Sequence, residues 1–203
     1  RIWMDGAEIR DEKLEAAHQK LLSLLPRQVS ESLSYFEYTT LLAMVAYEGC
    51  EYVVCEAGLG GEFDATNAFD KVLSIFTPID YDHAAFLGST IDSIATTKLR
   101  SMQRIALLGK QKHPEVETIA KTIASEKGCM LYTLTERVTP SIETAALQLA
   151  TKNGLSDYLR DNLTLAMATY EILGYEVTEE LFDQNALFGR LSRIAPNVTL
   201  DVG

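Results

Sequence analysis

Tyr52-Val53-Val54-Cys55-Glu56-Ala57-Gly58-Leu59-Gly60-Gly61-Glu62-Phe63-Asp64-Ala65-Thr66-Asn67 is the stretch on which the reading of this chain turns. A short apolar run ends in a carboxylate, and a glycine-rich turn follows at once. An apolar run of about four to eight residues bounded by a turn reads as a buried strand, here at residues 52–56. Glu56 then falls at the strand's carboxyl end, the edge at which open α/β sheets take their ligands. A buried carboxylate needs a paired cation or a metal. Gly58, Gly60 and Gly61 let backbone N–H groups come close to an anion. Together these features predict a metal-phosphate site.

Outward from this stretch the chain alternates. Leu14, Ala17, His18, Leu21 and Leu22 recur at helical spacing over residues 11–25, with Asp11 as N-cap. Residues 35–47 read as a buried helix with Phe36, Leu41, Met44 and Val45 as core. Strands follow at 72–77, 104–108 and 130–133, separated by helices that open at Thr90 and Pro114. Further helices are predicted near 157–173 and 178–186, and a last strand at 198–201. This order predicts an α/β fold with a largely parallel sheet flanked by helices.

The 203 residues suffice for one large domain, or a domain with part of another. A net charge of −11 excludes a general nucleic-acid or anionic-membrane binder, which needs a basic surface. Cys50, Cys55 and Cys129 are odd in number and lack CxxC spacing, as expected of reduced structural thiols in a cytoplasmic protein. There is no apolar run long enough to span a membrane, and no signal-peptide pattern at the start. The first residue is Arg1, and the last strand meets its ligand loop at Gly203. Both predict an incomplete chain.

Three further positions carry chemical signals. Asp82-His83 follows the strand that Pro78 ends, so His83 shares the sheet edge predicted for Glu56. It is either a metal or substrate contact or a capping histidine. His18 and His113 read as solvated or capping. Lys98 lies on the apolar stripe of the helix opened by Thr90, seven residues after Ile91. It is either a snorkelling lysine or an amine turned toward the sheet edge. Asn162 and Gly189-Arg190 read by position alone as surface and C-cap residues. No GxxxxGK[ST] string is present; Gly109-Lys110-Gln111 lacks both the hydroxyl and the upstream glycine.

These residues also carry a family resemblance. Residues 56–67 resemble the E-V-G-L-G-G-R-L-D-A-T-N signature of bacterial folylpolyglutamate synthase/dihydrofolate synthase, of the Mur ligase superfamily. Asp82-His83-Ala84-Ala85-Phe86-Leu87-Gly88 resembles D-H-x-x-F-L-G, and Ile94-Ala95-Thr96-Thr97-Lys98 resembles I-A-x-x-K. Asp161-Asn162, Gly189-Arg190-Leu191 and Leu200-Asp201 match the helix asparagine, G-R-L-E and the start of L-D-G-A-H-N-P. Ser34-Tyr35-Phe36-Glu37-Tyr38-Thr39 looks like T-Y-F-E-x-x-T. Nearly the whole chain is covered, in the family's order.

The resemblance implies a Mur-ligase central, P-loop NTPase-like domain at residues 1–186. Residues 187–203 are then a linker and the first strand of the C-terminal domain. The family's T-G-T-N-G-K-G-S loop is expected upstream of Arg1, and this stretch alone is expected to be inactive. The implied reaction is ATP-dependent ligation of L-glutamate to dihydropteroate or folyl-glutamate through an acyl phosphate. Glu56 and His83 match Mg²⁺ ligands, and Lys98 matches a lysine carbamylated by CO₂. Asn162, Arg190 and Asp201 match residues that contact ATP. Gly58, Gly60, Gly61, Asp64, Thr66 and Asn67 form the glycine loop. A cytoplasmic monomer is expected, with no nucleic-acid or membrane partner.

Glu62 and Phe63 depart from the family's Arg and Leu. Leu99-Arg100-Ser101 replaces A-G-I, and Leu159-Arg160 precedes Asn162 in place of the usual residues. A peptidoglycan-precursor Mur ligase and a non-catalytic scaffold domain are the competing readings. The G-L-G-G-x-x-D-A-T-N string favours the folate branch.

Overall fold

The computed structural model describes residues 2–4, 6–182, 192–195 and 198–200, the last two segments as backbone. The chain divides into two compact units, Arg1–Phe69 and Asp70–Gly203.

In the first unit, β1 (Trp3–Met4) and β2 (Ala7–Glu8) form an antiparallel hairpin. Gly6, at φ +80°, supplies the left-handed turn conformation that other residues avoid. The Tyr47 hydroxyl ties the hairpin down, donating to the Trp3 carbonyl at 3.0 Å and accepting from its amide at 3.1 Å. Three helices follow: α1 (Asp11–Leu24), α2 (Arg27–Ser32) and α3 (Tyr35–Ala46). The N-cap of α1 is Arg10, and Asp11 instead lies in the first turn, where its charge suits the helix dipole. At α3, Ser34 and Glu37 form a reciprocal capping box that satisfies two helix-end donors.

The expected core of α3 is only half realised. Thr40 and Ala46 are buried, whereas Phe36 is 42% exposed. Leu41, Met44 and Val45 are half-buried and line an open apolar groove with Leu21, Leu24 and Leu25.

Residues 52–56, expected as a strand, take no regular structure and join none of the sheets among the described residues, and all are exposed. Cys55 and Glu56 are therefore exposed rather than buried. The apolar run supplies side chains suited to a sheet interior, but a strand exists only through a hydrogen-bonded neighbour.

The second unit is built on a parallel sheet ordered β3 (Ser74–Phe76), β4 (Ile105–Leu108), β5 (Met130–Thr133). Short α4 (Ala84–Leu87) and then α5 (Ile91–Leu99) connect β3 to β4, and α6 (Pro114–Lys127) connects β4 to β5. Parallel pairing requires such crossovers. Alternation along β4 sorts the two faces. Ala106 and Leu108 face Ile91, Ile94, Leu99, Val116 and Ala120 of α5 and α6. Leu107 faces the other way, onto Leu134, Leu165 and Ala168. Those residues belong to α7 (Leu134–Arg137) and α9 (Asp157–Ile172).

Between them runs α8 (Pro140–Asn153), with Thr139 as N-cap, Pro140 at its start and Gly154 left-handed at its end. It packs Ile142, Ala146 and Leu149 against Met167, joined by Phe182 of α10 (Glu179–Phe182). The short β6 (Ser192–Ala195) and β7 (Val198–Leu200) pair antiparallel. The α/β class, with a parallel sheet covered on both faces by helices, is as the alternation predicts.

Candidate functional site

In the glycine loop the Asp64 carboxylate is the organising group. One oxygen accepts from the Gly58 and Leu59 amides, both at 2.9 Å. The other accepts from the Thr66 amide at 2.9 Å and the Thr66 hydroxyl at 2.6 Å. Partial burial opposes its charge, but the Thr66, Leu59 and Gly58 hydrogen bonds outweigh that and hold the carboxyl below its ordinary value.

The anion cradled by the Gly58 and Leu59 amides is thus a side chain of the loop itself, and those two donors are not open to a phosphate. Asp64 also caps the 3₁₀ turn Ala65–Ala68, while Asn67 Nδ2 donates to the Glu62 carbonyl at 2.8 Å. Glycine at 58 has a packing cause. A Cβ there would lie 2.6 Å from Phe36 Cζ, inside contact distance. Gly60 turns the chain at φ +69°, and Gly61 is buried.

Glu56 stands two residues before Gly58, so the Asp64 bonds fix the backbone just beyond it. Among the described residues no group of three or more His, Cys, Asp and Glu side chains is gathered to hold a metal. Mg²⁺ does not need such a group; it binds through one or two carboxylates and keeps several waters. An exposed carboxylate on a fixed backbone is the donor it takes, so Glu56 suits the ion.

In the second unit the carboxyl ends of β3 and β4 carry a cluster that sequence spacing did not mark. Asp80, after β3, accepts from Lys112 Nζ at 2.8 Å and lies 3.1 Å from His113 Nε2; both partners follow β4. The Tyr81 amide adds a third bond at 2.9 Å. Lys112 first, then His113 and the Tyr81 amide, hold Asp80 far below the usual carboxylate range. The Tyr81 ring meets the His113 ring edge-on at 5.7 Å. Gln111 completes the link. Its side-chain oxygen accepts from the Ile79 amide at 2.9 Å, and its amide nitrogen donates to the Gly109 carbonyl at 2.8 Å.

His83 follows this cluster. It is half-exposed, 3.4 Å from Asp82, and adopts φ +49°, ψ +39° as the N-cap of α4. Among the described residues it is the only non-glycine residue at positive φ. That conformation costs on the order of 1 kcal/mol for a residue with a Cβ and persists only where its surroundings impose it. The sequence position at a strand's carboxyl edge found this residue; the strain was invisible there.

Lys98 is half-buried in the last turn of α5, between buried Ala95 and Leu99. Below it the helix end is held by two other lysines. Lys71 Nζ donates to the Ser101 carbonyl at 2.8 Å, and Lys127 Nζ donates to the Arg100 carbonyl. Cations suit that end of the helix dipole. Asn162 lies half-buried on α9, two residues after Arg160, which pairs with Asp157 at 3.2 Å. Arg190 and Asp201 lie outside the described residues.

The parallel α/β sheet covered on both faces by helices is the fold of a class of solved ligase structures. Sequence and structure comparisons narrow this class. No protein-family model matches the chain. The Haemophilus influenzae dihydrofolate synthase/folylpolyglutamate synthase is 38% identical over 100 residues, 48% of this chain and 22% of that protein. The Helicobacter pylori folylpolyglutamate synthetase structure superposes with TM-score 0.78 and 37% identity, over 99% of this chain and 50% of that one. An Escherichia coli FolC structure in complex with DHPP and ADP shares the fold at TM-score 0.73 and 24% identity, over 98% of this chain.

The chain is therefore similar to the dihydrofolate/folylpolyglutamate synthases and spans about half the length of their solved structures. Among the described residues no helix is long and apolar enough to cross a membrane.

Proposed function

We propose that this chain is part of an ATP-dependent ligase that joins L-glutamate to dihydropteroate, to folyl-glutamate, or to both. The observation that carries this reading is the 37% identity to the Helicobacter pylori folylpolyglutamate synthetase, sustained over 99% of the chain.

In this reading an acceptor carboxylate oxygen attacks the γ-phosphorus of ATP, the bond to ADP breaks, and an acyl phosphate forms. The glutamate amine then attacks the acyl carbon. Phosphate leaves with the bonding pair, and the nitrogen loses a proton. Such chemistry asks the protein chiefly to hold several anions together in line.

Glu56 and His83 would each be a Mg²⁺ ligand, as the resemblance implies, and Mg²⁺ would supply charge that offsets that of the phosphates. The Asp64 bonds to Gly58 and Leu59 keep the Glu56 backbone in place for that task. The Lys98 ammonium would first lose a proton; its neutral Nζ would then add CO₂, forming an N–C bond and releasing a second proton. A cation on a half-buried helix face thereby becomes a carboxylate-like anion. Asn162, Arg190 and Asp201 would contact ATP. The domain boundary falls near residue 186, and the protein works as a cytoplasmic monomer.

The test is product analysis with the complete protein, ATP, Mg²⁺ and L-glutamate, using dihydropteroate and tetrahydrofolate as separate acceptors. A new amide bond formed with one ADP per turnover is the expected result. ATP turnover without amide formation on either acceptor would refute the reading.

A further inference from the structure

The loop from Ile79 to Leu87 is fixed at both ends and exposed in the middle. Ile79 and Leu87 are 3% and 8% exposed and pack in the same core beneath α5 and α6. On the far side, the Phe86 and Leu87 amides bond the His83 carbonyl at 2.9 and 3.0 Å. On the near side the restraint comes from the neighbouring strand's loop. Gln111 takes the Ile79 amide at 2.9 Å, and Asp80 is clamped by Lys112 at 2.8 Å and His113 at 3.1 Å. Gln111 is itself braced by its bond to the Gly109 carbonyl. Gly109 in turn continues the ladder, its amide donating to the Phe76 carbonyl at 2.8 Å.

His83 lies three residues past the clamped Asp80, in a left-handed conformation that a non-glycine residue keeps only when its surroundings over-determine it. The α4 amides on the His83 carbonyl fix only its far side, and on its near side the Tyr81 amide reaches no further than Asp80. The Asp82–His83 pair is exposed and weak at 3.4 Å.

We propose that Gln111 and Asp80 are positioning residues for His83: they latch the β3 loop to the β4 loop and thereby impose His83's left-handed backbone. Both side chains act through the loop backbone rather than as catalytic groups. For its catalytic consequence the inference rests on the ligase reading; for its structural consequence it does not.

The experiment uses Gln111→Ala, Asp80→Ala and Gln111→Glu in the complete protein, the last keeping an acceptor for the Ile79 amide. His83 Cα and Cβ chemical shifts report its backbone conformation, with Ala120 in the α6 core as the reference. The latch predicts that His83 shifts leave the left-handed range in both alanine variants while Ala120 stays put, and that Gln111→Glu keeps the wild-type values. Amide-forming kcat should fall about 10- to 100-fold in the alanine variants, as for other misplacements of a reacting group. KM for glutamate should stay within about twofold.

Unchanged His83 shifts in both alanine variants overturn the latch, whatever the activity. Loss of the Ala120 signal position in an alanine variant marks general unfolding, and Gln111→Glu then decides: His83 shifts away from wild type in that folded variant overturn the latch, and retained shifts support it. If the wild-type protein forms no amide, the ligase reading fails, and the shift comparison still judges the latch alone.

Discussion

Asp64 Oδ2 lies 2.9 Å from the Gly58 amide nitrogen, so the loop that resembles an anion cradle is closed on its own carboxylate. The same oxygen takes the Leu59 amide, and the other takes both donors of Thr66. Asp64 is thus a structural anion, and the glycines let the backbone wrap around it.

Asp64→Ala should destabilise the chain by about 1–2 kcal/mol, measured by urea unfolding at neutral pH. The low end applies because Gly58 and Leu59 are exposed, and water can reach their freed amides. The effect carries a pH signature. A carboxyl held below its ordinary value contributes all of its stability above that value, about 3.9, and loses it as pH falls through the folded-state value. The gap between wild type and Asp64→Ala should therefore shrink below about pH 3.9. A gap constant down to pH 2 would mean that the charge contributes nothing.

Gly58→Ala should cost about 1–3 kcal/mol, because its Cβ would meet the Phe36 ring at 2.6 Å. The partner is a side chain, so the penalty should be relieved in a Phe36→Ala background. A double-mutant cycle reads this directly. Coupling of at least about 0.5 kcal/mol is expected, and strict additivity would place the strain elsewhere.

His83→Gly should raise stability by about 0.5–1 kcal/mol, since glycine adopts the left-handed conformation without strain but loses more entropy on folding. The same variant should lose amide-forming activity. A thermal melt and a ligation assay on one preparation check both halves. A stability gain with activity lost is the pattern of a strained functional residue.

Lys98→Ala should abolish ligation, and removing dissolved CO₂ and bicarbonate should slow the wild-type protein reversibly. The rate measured in degassed and in bicarbonate-supplied buffer checks this. A rate indifferent to bicarbonate would leave Lys98 as a plain ammonium on α5.

Much of the fold was legible because its signals are local. Thr90 before an apolar stripe marked α5, and Met130–Thr133 was bounded by turn residues on one side and a helix start on the other. Where the reading of residues 52–56 failed, the missing quantity was non-local: apolar side chains do not name the strand they pair with. For α8 the signals were present in Thr139, Pro140, the Ile142–Ala146–Leu149 spacing and Gly154, and no helix was assigned to them. His83 was singled out from a strand end and Lys98 from a helix stripe, whereas Glu56 was singled out from a strand that is absent among the described residues. The Asp80–Lys112–His113 cluster was not, because it joins residues more than thirty apart through two loops whose meeting is set by strand order.

The glutamate-ligase account is tested most directly by following ADP and amide product together when the complete protein is given MgATP, L-glutamate and each of the two acceptors. The account predicts one amide bond per ADP with dihydropteroate, tetrahydrofolate or both, abolished by Glu56→Ala and by His83→Ala. A complete, folded protein that binds ATP yet joins glutamate to neither acceptor, or one that turns over undiminished in both variants, would contradict it.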